Sequence, residues 1–374
     1  MVLAGPRSHR SLVPLRGLDD GGAMNHSASS NMRQWVLKAG LTGVENLEQQ
    51  TVPVPEPGPG QVRVQMAAVS LNFRDQLWVA GQYGPVPDSD TVVLSDGAGV
   101  IDEVGEGVTT VSVGDRVTSL YCPDWTDGPL PGGLGLGPGS TGDPGMLAEY
   151  VVLPAEATTS APASLSLTEA AGLPCAGLTA WTALNGDRPY TRPIAAGEKV
   201  LVLGSGGVSL IALGLAIGAG AQVWATSGSN DKAERVKAMG AVDAVNRVQR
   251  PDWGAAVFEL TGGGVDRVVN AAGSEAIDQS IAALRNGGEI ALMGFKDQAA
   301  GSPDFIALMT KTAAIRGTRV GSAAAHADMV RAIDQSTVSV PIHRTFTFDQ
   351  TPDAFRAAVA PDVYGKVVIQ LDGA

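Results

Sequence analysis

A glycine-rich turn between a short apolar run and an apolar helical segment constrains the fold of this chain more than any other feature. Residues 200–203 read as a buried strand, Gly204-Ser205-Gly206-Gly207 as the turn, and residues 208–217 as the helix. Such a turn brings bare backbone close to a ligand, and the first N–H groups of the helix face an anion. We predict that it binds a pyrophosphate, with Val208 opening the helix and the small Ser209 keeping it close to the strand. The alternative is a strand–helix turn that is merely rich in glycine.

Strands and helices alternate after this turn. Further strand-like runs occupy residues 222–226, 241–245, 266–271, 290–293 and 314–317. Helical segments fill the intervals, including an amphipathic one at residues 231–239 that is capped by Ser229 or Asp231. This alternation predicts an α/β fold with a doubly wound parallel sheet.

The first part of the chain is strand-like instead. Residues 61–66 alternate in polarity with period two, and short strand-like runs follow at 99–104 and 116–120. The tail at 365–371 is a strand again and is expected to return to this β-rich part. A chain of 374 residues exceeds one ordinary core, so we predict two domains. Their expected bounds are 32–158, completed by 337–374, and 159–336, after an N-terminal extension at 1–31.

Charge and cysteine content narrow the class of protein. The formal net charge is −12 and no basic face is evident, which argues against nucleic acid as a main partner. Two distant cysteines, Cys122 and Cys175, are expected to be reduced in a cytoplasmic protein. No run is apolar enough for a membrane span. We expect residues 1–31 to be a disordered extension, with Met24 or Met32 as the alternative start.

The end of the second strand after the turn discriminates between two dinucleotides. An NAD site places Asp or Glu there to accept a hydrogen bond from the ribose 2′-hydroxyl. This chain instead has Ser227, Ser229 and then Lys232, and Asn246 and Arg247 follow the third strand. Hydroxyls and cations suit a 2′-phosphate, so we predict NADP(H) rather than NAD(H). In the alternative, Lys232 and Arg247 are only solvated surface charges.

Ordered segments along the chain carry a family resemblance. They are residues 70–75 (SLNFRD), 95–100 (SDGAGV), 113–117 (VGDRV), 173–181 (LPCAGLTAW), the glycine turn and 365–369 (GKVVI). With them the chain resembles the medium-chain dehydrogenase/reductase superfamily over residues 33–371, and within it the zinc-independent, quinone-oxidoreductase-like members. The resemblance implies a GroES-like β-rich catalytic domain, a Rossmann domain, a cleft between them and a homodimer.

The same resemblance shows where the zinc ligands of other members are replaced. Their first Cys falls on Asn72, their His on Ser95 and their second Cys on Cys175. A thiolate, an amide and a hydroxyl make a poor zinc site. The four histidines are His9, His26, His326 and His343, so residues 32–325 contain none. The family's structural-zinc cysteines are also missing, because a Gly- and Pro-rich loop at 122–145 stands in that place and is expected to be functional or mobile. We therefore expect no zinc.

Without a metal, the chemistry shifts towards hydride donation to an acceptor that is already electrophilic, a quinone or an α,β-unsaturated carbonyl. Asn72, Arg74 and Asp75 are the candidate catalytic residues. By resemblance, Thr179, Gly294, Phe295 and Lys366 lie near the nicotinamide.

Several alternatives stay open at this point. Arg74, Asp75 and Asp96 could form only a structural ion-pair cluster, and Cys175 could be an inert buried side chain. Four aromatic residues could supply a proton or shape the pocket: Tyr83, Tyr121, Trp78 and Trp125. An alcohol or aldehyde dehydrogenase, or a non-catalytic NADPH-binding protein, would fit the same motifs.

Overall fold

The structure is a computed structural model that describes residues 31–295 and 302–371. Its strands are β1 (Asn31–Leu37), β2 (Leu47–Pro53), β3 (Gln61–Ser70), β4 (Thr91–Val92), β5 (Asp96–Val104), β6 (Arg116–Ser119), β7 (Tyr150–Pro154), β8 (Thr158–Ser160), β9 (Lys199–Leu203), β10 (Gln222–Ser227), β11 (Asp243–Asn246), β12 (Val265–Asn270), β13 (Leu284–Leu292), β14 (Ala314–Gly317), β15 (Ile342–Thr347) and β16 (Lys366–Gln370). Its helices are α1 (Phe73–Val79), α2 (Leu167–Ala170), α3 (Leu178–Asn185), α4 (Gly207–Gly218), α5 (Asn230–Ala238), α6 (Trp253–Leu260), α7 (Ile277–Ala283), α8 (Phe305–Thr310), α9 (Ala323–Asp334) and α10 (Thr351–Ala358).

Six parallel strands form one sheet in the order β11-β10-β9-β12-β13-β14. Alternate residues of β9 enter two different cores. Val200 and Val202 pack with α3, α4 and α9, whereas Leu201 and Leu203 pack with α6 and α7. Because both faces are covered, the strand is apolar throughout, as parallel strands usually are. The predicted α/β fold with a doubly wound sheet is confirmed.

The β-rich part contains a seven-stranded sheet in the order β15-β16-β3-β5-β6-β8, with β7 also paired to β3. A smaller sheet has the order β2-β1-β4. The chain end returns as expected, since β16 pairs antiparallel with β3. This return places Lys366 beside residues at the end of β3.

Some predicted boundaries are wrong by a few residues. The first strand begins at Asn31, inside the predicted extension, whose other residues lie outside the described part. Helix α5 begins at Asn230 after a Ser229 cap, so Asp231 is a first-turn residue and not the cap. Strand β11 begins at Asp243, two residues later than expected, because its pairing with β10 runs only from Asp243 to Asn246. The two domain boundaries stay predictions.

The 122–145 loop packs against the β-rich part, and its carbonyl groups are hydrogen-bonded to charged side chains. Arg74 donates to the carbonyls of Pro138 (2.6 Å) and Leu136 (3.1 Å). Backbone bonds from Ala323 and Ala324 to the loop fix its first part to the start of α9.

Within the described ranges, no helix is both long and apolar enough to cross a bilayer.

Candidate active site

Two adjoining cavities lie between the parallel sheet and the β-rich part. The larger, of about 590 Å³, is bounded by α1, the 122–145 loop and the segments after β13 and β14. The smaller, of about 230 Å³, runs along the glycine turn to Lys366. Five residues line both: Asn72, Phe73, Ala176, Val208 and Ala271. The two cavities therefore form one cleft that passes from the glycine turn to the 122–145 loop.

The glycine turn presents open backbone to this cleft. Gly204 has φ +84°, a conformation that L side chains rarely adopt. A Cβ added at Gly204 or Gly206 would meet no atom within 4 Å, whereas one at Gly207 would lie 2.5 Å from Lys366 Cδ. The hydroxyl of Ser209 donates to the Leu203 carbonyl (2.8 Å), so it ties the helix to the strand as expected of a small residue there. The first N–H groups of α4 and the empty space before them fit an anionic pyrophosphate.

At the end of β10 the predicted hydroxyls are already engaged in local bonds. Ser227 Oγ donates to the Ser229 carbonyl (2.5 Å) and accepts from the Ser229 N–H (3.1 Å). Ser229 Oγ accepts from the Lys232 N–H as the cap of α5. The ammonium of Lys232 donates to the Pro361 carbonyl (2.7 Å), and burial lowers its pKa. The two serines are therefore bonded within the turn after β10, and the ammonium of Lys232 is already bonded to Pro361.

Arg247 is the more available cation at the same corner. It is exposed and forms no ion pair with any residue of the described ranges, and its Nη2 lies 3.7 Å from a Cβ added at Gly228. Asn246 is held in the turn, since its amide donates to Asn230 Oδ1 (2.7 Å). The structure thus brings the predicted group Ser227, Ser229, Lys232, Asn246 and Arg247 together and leaves Arg247 free to reach a phosphate.

Asn72 lies at the centre of a buried hydrogen-bond chain. Its amide oxygen accepts from Lys366 Nζ (2.5 Å), and its amide nitrogen donates to Ser95 Oγ (3.2 Å). Ser95 donates in turn to Asp96 Oδ1 (2.7 Å), whose second oxygen accepts from the Cys175 N–H (2.9 Å). Burial raises the pKa of Asp96, and the positive charge of Lys366 opposes that rise. This series of hydrogen bonds fixes the orientation of the Asn72 amide at the junction of the two cavities.

The donor set around Asn72 does not fit zinc. The three side chains that would hold the metal are those of Asn72, Ser95 and Cys175, and the ammonium of Lys366 is bonded to the first of them. Burial, and then the negative charge of Asp96, raise the pKa of the Cys175 thiol well above its usual value. A cysteine binds zinc as a thiolate, and a neighbouring ammonium repels the metal. Among the described residues no group of three His, Cys, Asp or Glu side chains is placed to hold a metal.

Arg74 and Asp75 form a buried ion pair, with Arg74 Nη1 2.8 Å from Asp75 Oδ1. Burial lowers the pKa of Arg74 but Asp75 raises it, and the net shift is upward. Asp75 also accepts from the Asn72 N–H (2.8 Å) and lines neither cavity of the cleft. Of the three predicted catalytic residues, Asn72 and Arg74 therefore face the larger cavity. Asp75 affects that cavity only through its bonds to Asn72 and Arg74.

The structure separates the four aromatic candidates. The Tyr121 hydroxyl donates to the Leu136 carbonyl (2.9 Å), and burial raises its pKa well above the usual value. Trp78 is buried in the core, and Trp125 Nε1 donates to the Gly128 carbonyl (2.9 Å). Tyr83 lines the larger cavity, and its hydroxyl has no hydrogen-bond partner among the described residues. Among these four, Tyr83 alone combines a place on the larger cavity with a polar group that is uncommitted within the described residues, since Trp78 Nε1 also lacks a partner there but is buried in the core.

The segment after β13 completes the cleft. The ring of Phe295 stacks on Tyr83 and lies against Phe73, with centroids 5.7 and 5.8 Å apart. The Thr179 hydroxyl donates to the Cys175 carbonyl (2.7 Å), and Gly294 approaches Gly273 so closely that an added Cβ would lie 2.4 Å from its nitrogen. Thr179, Gly294 and Phe295 line the larger cavity and Lys366 lines the smaller one, while their place beside a nicotinamide stays a prediction.

The sequence analysis did not identify several residues that line the larger cavity. They include Leu136 in the loop, Met293 after β13, and Thr318, Arg319 and Val320 after β14. The carboxyl ends of parallel strands meet at one edge of a sheet, which is where open α/β sheets bind ligands. That rule applied to β14 could have found the last three.

A doubly wound sheet, a β-rich partner and a cleft between them with a glycine turn at one end are typical of nucleotide-dependent oxidoreductases. Residues 58–163 match the alcohol dehydrogenase GroES-like domain, and residues 207–336 match the zinc-binding dehydrogenase domain. The chain belongs to the medium-chain dehydrogenase/reductase superfamily, as an alcohol dehydrogenase-like member.

Three relatives place it more closely. A zinc-type alcohol dehydrogenase-like protein of Schizosaccharomyces pombe is 36% identical over 91% of this chain and 99% of its own length. A 2-haloacrylate reductase of a Burkholderia species is 32% identical over 67% of this chain and 70% of its own. The crystal structure of a putative alcohol dehydrogenase from Sinorhizobium meliloti has a TM-score of 0.84 and 36% identity, covering 91% of this chain and 99% of that one.

Proposed function

We propose that the protein is a zinc-independent, NADP(H)-dependent reductase that transfers hydride to a quinone or an α,β-unsaturated carbonyl compound. The observation that carries the proposal is the bond from Lys366 Nζ to Asn72 Oδ1, at the position where other members of the superfamily hold zinc. An ammonium in that place supplies no Lewis acid to activate an alcohol. The substrate must therefore be electrophilic before it binds.

The choice of NADP(H) is supported by the corner at the end of β10. The turn of Gly204–Gly207 and the first N–H groups of α4 would hold the pyrophosphate, and Arg247 would bind the 2′-phosphate with Lys232 nearby. No acid closes β10, which ends in Ser227. When bound, the cofactor supplies the hydride.

The residues of the cleft orient the acceptor and provide the proton. The β-carbon of the acceptor receives the hydride and the α-carbon receives a proton, giving the saturated carbonyl compound; a quinone becomes the hydroquinone. We assign the proton to the Tyr83 hydroxyl, which is uncommitted within the described residues and lines the larger cavity. Asn72, oriented by Lys366 and Ser95, holds the acceptor's polar end, and Arg74 holds the loop that covers it.

A second candidate, an alcohol or aldehyde dehydrogenase, is favoured by the names of two of the three relatives. The third relative is named as a reductase of a haloacrylate, a compound with a conjugated double bond, and favours the first candidate. Metal content separates the two. A stoichiometric zinc that is needed for activity would contradict the zinc-independent proposal.

Stopped-flow oxidation of NADPH tests the proposed reaction. Quinones, enones, aldehydes and ketones are compared as acceptors with the metal-free protein, and Tyr83→Phe is compared with the wild-type protein on the best acceptor. We expect enones or quinones to be reduced and the variant to lose about 10²-fold or more in kcat, since a positioned acid contributes about that much. Tight NADPH binding with no acceptor reduced would favour a non-catalytic role instead.

A further inference from the structure

Arg319 stands where the larger cavity meets a third one. This outer cavity, of about 510 Å³, lies beside the larger cavity and shares Met293, Gly294, Thr318 and Arg319 with it. Arg319 follows β14, at the carboxyl edge of the parallel sheet where open α/β sheets bind their ligands. A substrate group that extends from the larger cavity towards the outer one would pass this side chain.

The guanidinium of Arg319 has binding capacity to spare. Its Nη2 donates to the carbonyl of Gly135 in the 122–145 loop. Within residues 31–295 and 302–371 the guanidinium forms no ion pair and no other hydrogen bond, and its unbonded nitrogens are not buried. Those nitrogens are therefore accessible to a ligand. Arg74, the other arginine of the larger cavity, is instead neutralised by Asp75.

Nearby acids do not take up this charge. Asp187, on the outer cavity, has its pKa raised to about 6 by burial, with Arg316 opposing the rise. Asp124 and Asp143 influence the same thiol, Cys122, as Arg319 does, but neither is ion-paired to Arg319. An arginine left accessible beside an apolar and aromatic cavity is suited to an anionic group on a ligand.

We propose that Arg319 binds a carboxylate of the substrate, so that the preferred acceptor is an enone that carries a separate carboxylate. This inference rests on the proposed reductase function and names its substrate class. A guanidinium matches a carboxylate with two parallel hydrogen bonds. A carboxylate is also compact, and the larger cavity of about 590 Å³ must admit a nicotinamide as well, which leaves little room for a bulky anionic tail.

A matched pair of acceptors tests the inference. One is an enone joined to a carboxylate through a short methylene spacer, and the other is its methyl ester, which has the same reactive group and no charge. The ratio of kcat/KM for acid over ester is measured by NADPH oxidation in the wild-type protein, in Arg319→Gln and in Arg188→Gln. Arg188 lines the outer cavity but is mainly exposed and paired with Asp127, so it controls for general electrostatic attraction.

We expect the wild-type protein to prefer the acid by at least about tenfold, the size of a charge-assisted hydrogen bond. Arg319→Gln should abolish the preference, and Arg188→Gln should retain it. An equal loss in both variants, a preference kept in Arg319→Gln, or no preference in the wild-type protein would overturn the inference. The last measurement needs no variant, so a misfolded Arg319→Gln protein leaves the idea testable.

The outcome also separates this inference from the proposed function. If both acceptors are reduced with equal efficiency, the reductase function stands and the carboxylate site fails. If neither is reduced, nor any other enone or quinone, the proposed function fails. Affinity for NADPH is measured in parallel by fluorescence titration. A loss of NADPH affinity in Arg319→Gln with an unchanged acid preference would assign Arg319 to the cofactor and overturn the inference.

Discussion

At the residue scale, Lys366 is the side chain on which the proposed site depends most. It is 3% exposed, and its ammonium donates to the Leu71 carbonyl (2.7 Å) and to Asn72 Oδ1. Lys366→Met removes both bonds and leaves the buried Asp96 without its positive neighbour. We expect a loss of about 3 kcal/mol in the free energy of unfolding and a fall in kcat/KM of about tenfold or more, measured by urea denaturation and NADPH oxidation.

Lys311→Met is the matched control for that variant. Lys311 Nζ also donates to two backbone carbonyls, those of Ala282 and Leu284, but it lines none of the three cavities. It should lower stability and leave turnover near the wild-type value. Equal kinetic effects of the two variants would mean that Lys366 acts only through stability.

His326 gives a second prediction at this scale. Its ring is fully buried in α9, neither nitrogen has a partner in the described structure, and burial lowers its pKa to about 4. The unfolded chain binds a proton near pH 6.5, so stability is present above that pH and is lost as the pH falls towards 4. We expect this residue to cost about 2 kcal/mol between pH 7 and 4.5.

Urea denaturation at the two pH values checks this expectation. His326→Leu should show a smaller loss of stability on acidification than the wild-type protein does. His343→Leu, at a partly exposed position in β15, should follow the wild-type protein. An identical pH dependence in His326→Leu and the wild-type protein would contradict the prediction.

At the element scale, the start of β16 is fixed to the glycine turn. Gly365 has φ +94°, forms a parallel bridge with Gly206, and an added Cβ would lie 2.2 Å from the Pro341 carbonyl oxygen. Gly365→Ala should therefore displace β16, lower stability by more than about 2 kcal/mol and weaken NADPH binding.

Gly197→Ala isolates the steric part of that effect. Gly197 has a similar φ of +82°, but a Cβ there would meet no atom within 4 Å. It should cost only about 1 kcal/mol, the strain of the backbone conformation alone, and leave NADPH affinity unchanged. Thermal unfolding and fluorescence titration compare the two, and similar losses in both would show that contact with Pro341 is unimportant.

At the scale of the whole molecule, the cleft is built from both parts of the chain, so a bound dinucleotide should stabilise the protein as a unit. NADPH at 100 times its dissociation constant should add about 2.7 kcal/mol, seen as an increase in Tm. NADH at the same concentration should produce a smaller increase. Arg247→Ser should reduce the difference, and Arg250→Ser, which changes an exposed arginine paired with Asp252, should not. A shift with NADH alone would contradict the assignment of Arg247.

Much of the fold could be predicted from the sequence because its signals are local. The apolar run of β9, the glycines of the turn and the return of β16 depend on side-chain periodicity and on residues that tolerate unusual backbone angles. A strand end such as that of β11 is harder to predict, because Ala241 and Val242 before the strand are as apolar as Ala244 and Val245 within it. The replacement of the family's zinc ligands by Asn72 and Ser95 is likewise a prediction from the sequence, and it rests on the resemblance that aligns those positions.

The partners of each side chain were decided only by tertiary structure. Lys366 bonds to Asn72 across 294 positions of sequence, Arg74 holds the 122–145 loop, and Arg319 reaches the cavity from the end of β14. No local pattern shows that Lys232 is bonded to Pro361 while Arg247 is available, or that Tyr121 is committed and Tyr83 is not. Sequence by itself determined which chemical groups the chain has and the order of its elements. Packing decided which of those groups meet, because contacts across distant segments depend on how the two sheets are placed around the cleft.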